Sequence, residues 1–162
     1  IGLILVYLIM VALYDNFVYP FVVLFSILVS LIGAILALNL TSSSMGIFTM
    51  LGMLMLLGLV AKNAILIVEF AIAKQKEGAS IIEAAKEGAF SRLRPILMTS
   101  FAFVAGLIPL MIASGAGAIG NRTIGTASAG GMIFGTVGGL LVIPGLYVVF
   151  ASLSAKLSKN EK

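Results

Sequence analysis

The chain has 162 residues, 61% of them hydrophobic and only 10% charged, against about 45–50% and 25% in soluble domains. A domain this short leaves too much of its surface facing solvent to hide that apolar excess, so a soluble globule is excluded and lipid is the solvent. With no Cys and no His, a disulfide framework, a thiolate metal site and histidine acid–base chemistry are excluded too, and the meaning of the formal charge of +4 depends on where the basic residues lie relative to the membrane.

Residues 1–14 are apolar throughout but rise only about 21 Å as a helix, short of the roughly 30 Å hydrocarbon core. They begin at Ile1 with no Met and no charged leader, so a truncated transmembrane helix of a longer protein is expected. Asp15 and Asn16 break the run, and 17–38 follows as an uncharged span with Pro20 near its entrance, where a missing N–H is harmless. A polar connector, 39–44, leads to a third helix, 45–73, apolar except for Lys62, Asn63 and Glu69.

From Lys74 to Arg94 the composition turns charged. Within it Ser80-Ile81-Ile82-Glu83 has the capping-box pattern, and Ile81, Ile82, Ala85, Ala89 and Leu93 share roughly one face, which predicts a short amphipathic helix over 80–93 lying on the cytoplasmic membrane surface. Residues 95–114 form the next span, kinked at Pro109; 115–122 is a loop; and 123–155 is the last span, long enough to tilt or to project beyond the lipid. In this last span Ala127, Gly131, Gly135 and Gly139 recur every fourth residue. Such a face lets another helix approach to backbone contact, unless it only reflects the abundance of glycine in membrane helices. The expected fold is all-α, a polytopic transmembrane helix bundle, because lipid-exposed backbone must satisfy its own hydrogen bonds and these runs are too long for barrel strands.

If the spans alternate, Lys74, Lys76, Lys86, Arg92, Arg94, Lys156, Lys159 and Lys162 fall on one side and Arg122 on the other. The positive-inside rule puts the basic side in the cytoplasm, with Asp15 and the C-terminus. The net charge is then explained by the lipid bilayer and its anionic headgroups, with no nucleic acid as partner.

Lys62 is the costly residue. Counting back from Lys74 places it roughly 18 Å inside, and counting from Glu69 about 10 Å. A lysine near mid-membrane costs about 2.5 kcal/mol or more, so it is expected to face the bundle interior and to pair. Glu69 lies about 10 Å along the same face, too far for contact, and the other acidic residues fall outside the lipid, so the partner carboxylate is expected outside this chain. The bland alternative is a snorkelling anchor. Asn63 is suited equally to interhelical glue or to a relay. Thr99 lies roughly 7.5 Å past Arg94, at a depth that matches the shallower estimate for Lys62, although a membrane threonine usually bonds its own helix. Arg92 and Arg94 read by default as positive-inside anchors. There is no phosphate loop, zinc spacing or nucleophile with a base, and Gly115-Ala-Gly-Ala-Ile-Gly120 follows a membrane helix rather than a strand, so neither an enzyme nor a cofactor is expected.

The stretch Gly58-Leu-Val-Ala-Lys-Asn-Ala-Ile-Leu-Ile-Val-Glu-Phe-Ala71 resembles the tenth transmembrane helix of resistance-nodulation-division (RND) efflux pumps of the hydrophobe/amphiphile multidrug branch. Arg92-Leu-Arg-Pro-Ile-Leu-Met-Thr-Ser100 resembles the start of the eleventh. Gly115-Ala-Gly-Ala118, Gly125-Thr126 and Gly130-Gly-Met132 resemble the passage into the twelfth, and Ala12-Leu-Tyr14 with Pro20-Phe21 the joint between the eighth and ninth. The resemblance covers essentially the whole chain in order and implies the last five of twelve membrane helices.

It further implies a proton-driven homotrimer of the bacterial inner membrane, working with a periplasmic adaptor and an outer-membrane channel. In such pumps a lysine of the tenth helix, here Lys62, pairs with two aspartates of the fourth. By the same resemblance Thr99 and Arg92 match relay residues and Asn63 matches the residue beside the lysine. The drug-binding periplasmic domains and the aspartates belong to the remainder of the transporter, so this chain alone is not expected to transport. A heavy-metal-type RND exporter and a non-transporting assembly module are the alternatives; the Lys62-Asn63 pair resembles the multidrug branch better.

Overall fold

The computed structural model describes residues 1–43 and 45–160, with side chains as far as Lys156. Ser44 of the connector and Lys162 of the basic tail lie outside the described residues, as does the side chain of Lys159. Five helices follow in order: α1 (Gly2–Tyr14), α2 (Tyr19–Leu40), α3 (Ile47–Lys76), α4 (Ile81–Met111) and α5 (Ala118–Asn160). No strand occurs among the described residues. α2 to α5 are long and apolar enough to cross a membrane, and α1 is a shorter apolar helix.

The helix ends follow local chemistry. Asp15 closes α1 in the left-handed region (φ 48°), and Asn16 Oδ1 accepts the Val18 N–H at 2.8 Å before Pro20 opens α2. At the far end of α2 the Thr41 hydroxyl donates to the Ala37 carbonyl at 3.0 Å. α3 ends in a Schellman motif: Gly78 (φ 101°) donates to the Gln75 carbonyl and Ala79 to the Lys74 carbonyl, with Lys74 and Lys76 in the last turn where the helix dipole favours cations. Ser80 then caps α4. Its hydroxyl accepts the Glu83 N–H and its own N–H donates to Glu83 Oε2, the reciprocal pair expected from the sequence.

The segments 80–93 and 95–114, expected as a surface helix followed by a separate span, are instead a single helix that runs through Pro95. A proline inside a helix removes one hydrogen bond and crowds the preceding turn, but it does not have to end the helix. Here Gly88 holds the first part of α4 against α3, where an added Cβ would stand 3.1 Å from the Ala71 Cβ and the Ile67 carbonyl oxygen. The last loop is also shorter than expected. Gly115 (φ 92°) and Gly117 (φ 83°) turn the chain, α5 begins at Ala118, and Arg122 Nε donates back to the Ala113 carbonyl at 2.6 Å.

α5 is the central helix, with α2, α3 and α4 all packed against it and α1 resting mainly on α2. At 43 residues it runs about 65 Å, twice the hydrocarbon thickness. One core cluster gathers Val22, Val23, Ile67, Val68, Ile143 and Tyr147; a second gathers Ala34, Leu56, Val60 and Met132. Large apolar side chains such as Phe90, Phe101 and Leu141 remain exposed around the bundle, as lipid solvent requires.

α5 can be central because its small residues let neighbours come close. Ala127, Gly131, Gly135 and Gly139 are all buried, and α2 and α3 meet there. A Cβ on Gly131 would overlap Leu56 and stand 3.1 Å from Ala34, and one on Gly135 would come within 2.7 Å of Ser30 Oγ. The close approach is stitched by hydroxyls: Ser30 donates to the Gly131 carbonyl at 2.8 Å and Ser128 to the Gly52 carbonyl at 3.2 Å.

Candidate functional site on helix α3

The buried face of α3 is the row Thr49, Gly52, Leu56, Val60, Ala64, Ile67, Val68 and Ala71. At 100° per residue Lys62 stands on the opposite face, with Glu69 on its row one step of seven away, and both are exposed. Leu51, Leu54 and Met55 continue that outward face as exposed apolar residues. Its depth follows from packing. Val60 and Ser30 meet at Gly135, and Ser30 stands near the middle of α2, a helix of 22 residues and about 33 Å. Lys62 follows two residues on, so it sits at mid-height of the bundle. It makes no hydrogen bond or ion pair among the described residues.

Asn63 is turned about 100° from Lys62, towards the interior. It lines a crevice with Val60, Ile96, Thr136 and Gly139, where α3, α4 and α5 converge. Thr99 is exposed on α4 and its hydroxyl donates to the Ile96 carbonyl at 3.0 Å, the habit of membrane threonines. Arg92 lies a turn below Ile96. Its guanidinium covers the Phe70 ring at 5.5 Å, and its Nε is buried without a hydrogen-bond partner among the described residues. Ile96 lines the same crevice as Asn63 and accepts the Thr99 bond through its carbonyl, and Arg92 borders α3 nearer its basic end. No hydrogen bond joins any of the three to Lys62.

Two polar features near this level were not singled out in the sequence. The Ser100 and Thr136 hydroxyls bond each other at 2.7 Å between α4 and α5, and both are buried. The Tyr14 hydroxyl reaches the Ile65 carbonyl at 3.4 Å, tying the end of α1 to α3 one turn beyond Lys62. Hydroxyls in apolar runs were the available signal, but their partners lie on other helices. Further out, Lys74 pairs with Glu77 at 3.0 Å and Glu87 at 3.6 Å, an exposed knot at the turn between α3 and α4. No group of metal-ligating side chains occurs among the described residues.

A multi-pass helical membrane protein with a lysine at mid-height, unpaired among the described residues and turned away from its own bundle, is the class that fold and site define. The chain belongs to the AcrB/AcrD/AcrF family, whose model matches residues 1–151, in keeping with its resemblance to RND transporters. It is 44% identical over 160 residues to multidrug resistance protein MdtF of Escherichia coli (strain K12), covering 98% of this chain and 15% of that protein. It is 43% identical over 153 residues to the toluene efflux pump membrane transporter TtgB of Pseudomonas putida, covering 94% and 15%. The solvent-resistant pump membrane transporter SrpB of Pseudomonas putida is 43% identical over 158 residues, covering 97% and 15%. The chain thus spans about 15% of the length of these relatives.

Proposed function

We propose that this chain is the C-terminal transmembrane part of a proton-driven multidrug efflux transporter of the bacterial inner membrane, with its C-terminus in the cytoplasm, and that Lys62 is the cation of the proton relay. The observation that carries the reading is the placement of Lys62: mid-height, on the outward face of α3, with no partner among the described residues. A charge held there in lipid is costly, and a facing carboxylate on another segment of the transporter removes the cost. Protonation of that carboxylate releases the ammonium, which changes partner, and the helices settle into a second packing.

In this reading Asn63 and Thr99 offer alternative polar groups beside the ion, and Arg92, with its unsatisfied Nε, receives the proton's path near the basic end. The relatives' names, which speak of multidrug resistance, toluene efflux and solvent resistance, favour apolar or amphiphilic cargo. A homotrimer completed by a periplasmic adaptor and an outer-membrane channel belongs to the same reading. The assembly-module alternative loses its main support, because the glycines of α5 are covered largely by α2 and α3 of the same chain.

The test is drug resistance in cells expressing the intact transporter with Lys62→Met or Lys62→Arg. Both variants should reach the membrane in normal amount. Lys62→Met should abolish resistance and Lys62→Arg should fail to restore it fully, since a broad planar guanidinium cannot match the ammonium's compact contact. Full resistance in Lys62→Met would leave Lys62 as an anchor.

A further inference from the structure

On the side of α4 and α5 away from Lys62, two hollows lie end to end. The first, near the basic end of the bundle, runs between Phe90 and Leu93 of α4 and Leu141 and Pro144 of α5, with Lys86 at its mouth. The second continues between Leu97 and Phe101 of α4 and Val137 of α5; it has a volume of about 160 Å³, similar to engineered apolar cavities of about 150 Å³ that hold benzene. Its wall is apolar even though Ser100 and Thr136 contribute to it, because their hydroxyls are spent on each other at 2.7 Å.

We propose that this groove binds one anionic phospholipid of the leaflet at the basic end, with its phosphate at Lys86 and an acyl chain laid between α4 and α5. Length agrees: Lys86 to Leu97 is about 16 Å along the helix, half of the roughly 30 Å hydrocarbon core, so a chain anchored at Lys86 ends in the inner hollow. Charge agrees as well. Around the mouth, Lys74 is held by Glu77 and Glu87, and Glu83 holds the Ser80 cap. Lys86 and, two turns along the same row, Arg94 are exposed and have no ion pair among the described residues. A basic, apolar-walled recess between helices at the membrane surface is the form that recognises acidic headgroups. The inference is independent of the role of Lys62.

The test is native mass spectrometry of the protein purified from its membranes, exchanged with phosphatidylglycerol or phosphatidylethanolamine of identical acyl chains. One phosphatidylglycerol per copy should survive activation that strips phosphatidylethanolamine. Lys86→Gln should weaken that retention about fivefold, and Val137→Trp, which fills the inner hollow from an exposed position, should abolish it. Equal retention of the two lipids, or retention indifferent to Lys86→Gln, would overturn the proposal. A second measurement uses the lack of native Cys in this chain. Val137→Cys should be labelled by a lipid-soluble maleimide, more slowly in phosphatidylglycerol than in phosphatidylethanolamine membranes. A thiol shielded in both and cross-linked to another polypeptide segment would assign the groove to a protein helix and overturn the lipid.

Discussion

Lys62 has no partner to lose among the described residues, which sets its behaviour apart from that of a buried ion pair. Breaking such a pair costs several kcal/mol because a charge is left stranded; here nothing is stranded. In the 162-residue chain held in detergent, Lys62→Leu should leave the midpoint of thermal unfolding unchanged or raise it, and a clear fall would reveal a partner on α1 to α5. The glycines behave differently from one another. An added Cβ at Gly130 would overlap Ala37 Cβ, which is fixed to the α2 backbone, whereas at Gly139 it meets only Ile143 Cδ1 at 3.4 Å. Gly130→Ala should therefore destabilise by about 1–3 kcal/mol, while Gly139→Ala should be neutral or stabilise by up to about 1 kcal/mol through helix propensity. Thermal unfolding of the two variants side by side checks the order.

α4 is the element on which local signals and the structure part company. Its start was legible, since Ser80 and Glu83 form the capping box that their spacing announces. Ser80→Ala should cost about 1 kcal/mol and speed hydrogen exchange at the Glu83 amide. The change from charged to apolar composition at Arg94–Pro95 does not end the helix, because a proline marks a boundary only when nothing holds the helix together on either side of it. Gly88 against Ala71 on one side of Pro95 and the Ser100–Thr136 bond on the other provide that hold. Pro95→Ala should keep α4 continuous and raise the unfolding midpoint, by up to about 3 kcal/mol in stability; a lower midpoint would mean that the helix needs its proline. The same division runs through the candidate site. The charge of Lys62 in an apolar run was visible in one dimension, and so was the glycine row of α5. That Lys62 and Asn63 point about 100° apart, and that Ser100 meets Thr136, depends on which helices cross where.

For the molecule as a whole, a bundle built around α5 leaves Lys62 at mid-height on an outward face, unpaired among the described residues. Its complement is then expected on the remainder of a transporter of which this chain spans about 15% in its relatives. The chain alone, reconstituted in vesicles, should neither move drug nor carry protons. The decisive measurement is made on the intact transporter in proteoliposomes, with a drug gradient imposed and lumenal pH followed by a trapped dye. Drug-driven proton counterflow should appear with Lys62 present and vanish in Lys62→Met while drug binding persists. Counterflow that continues undiminished in Lys62→Met would contradict the assignment of Lys62 to the proton path.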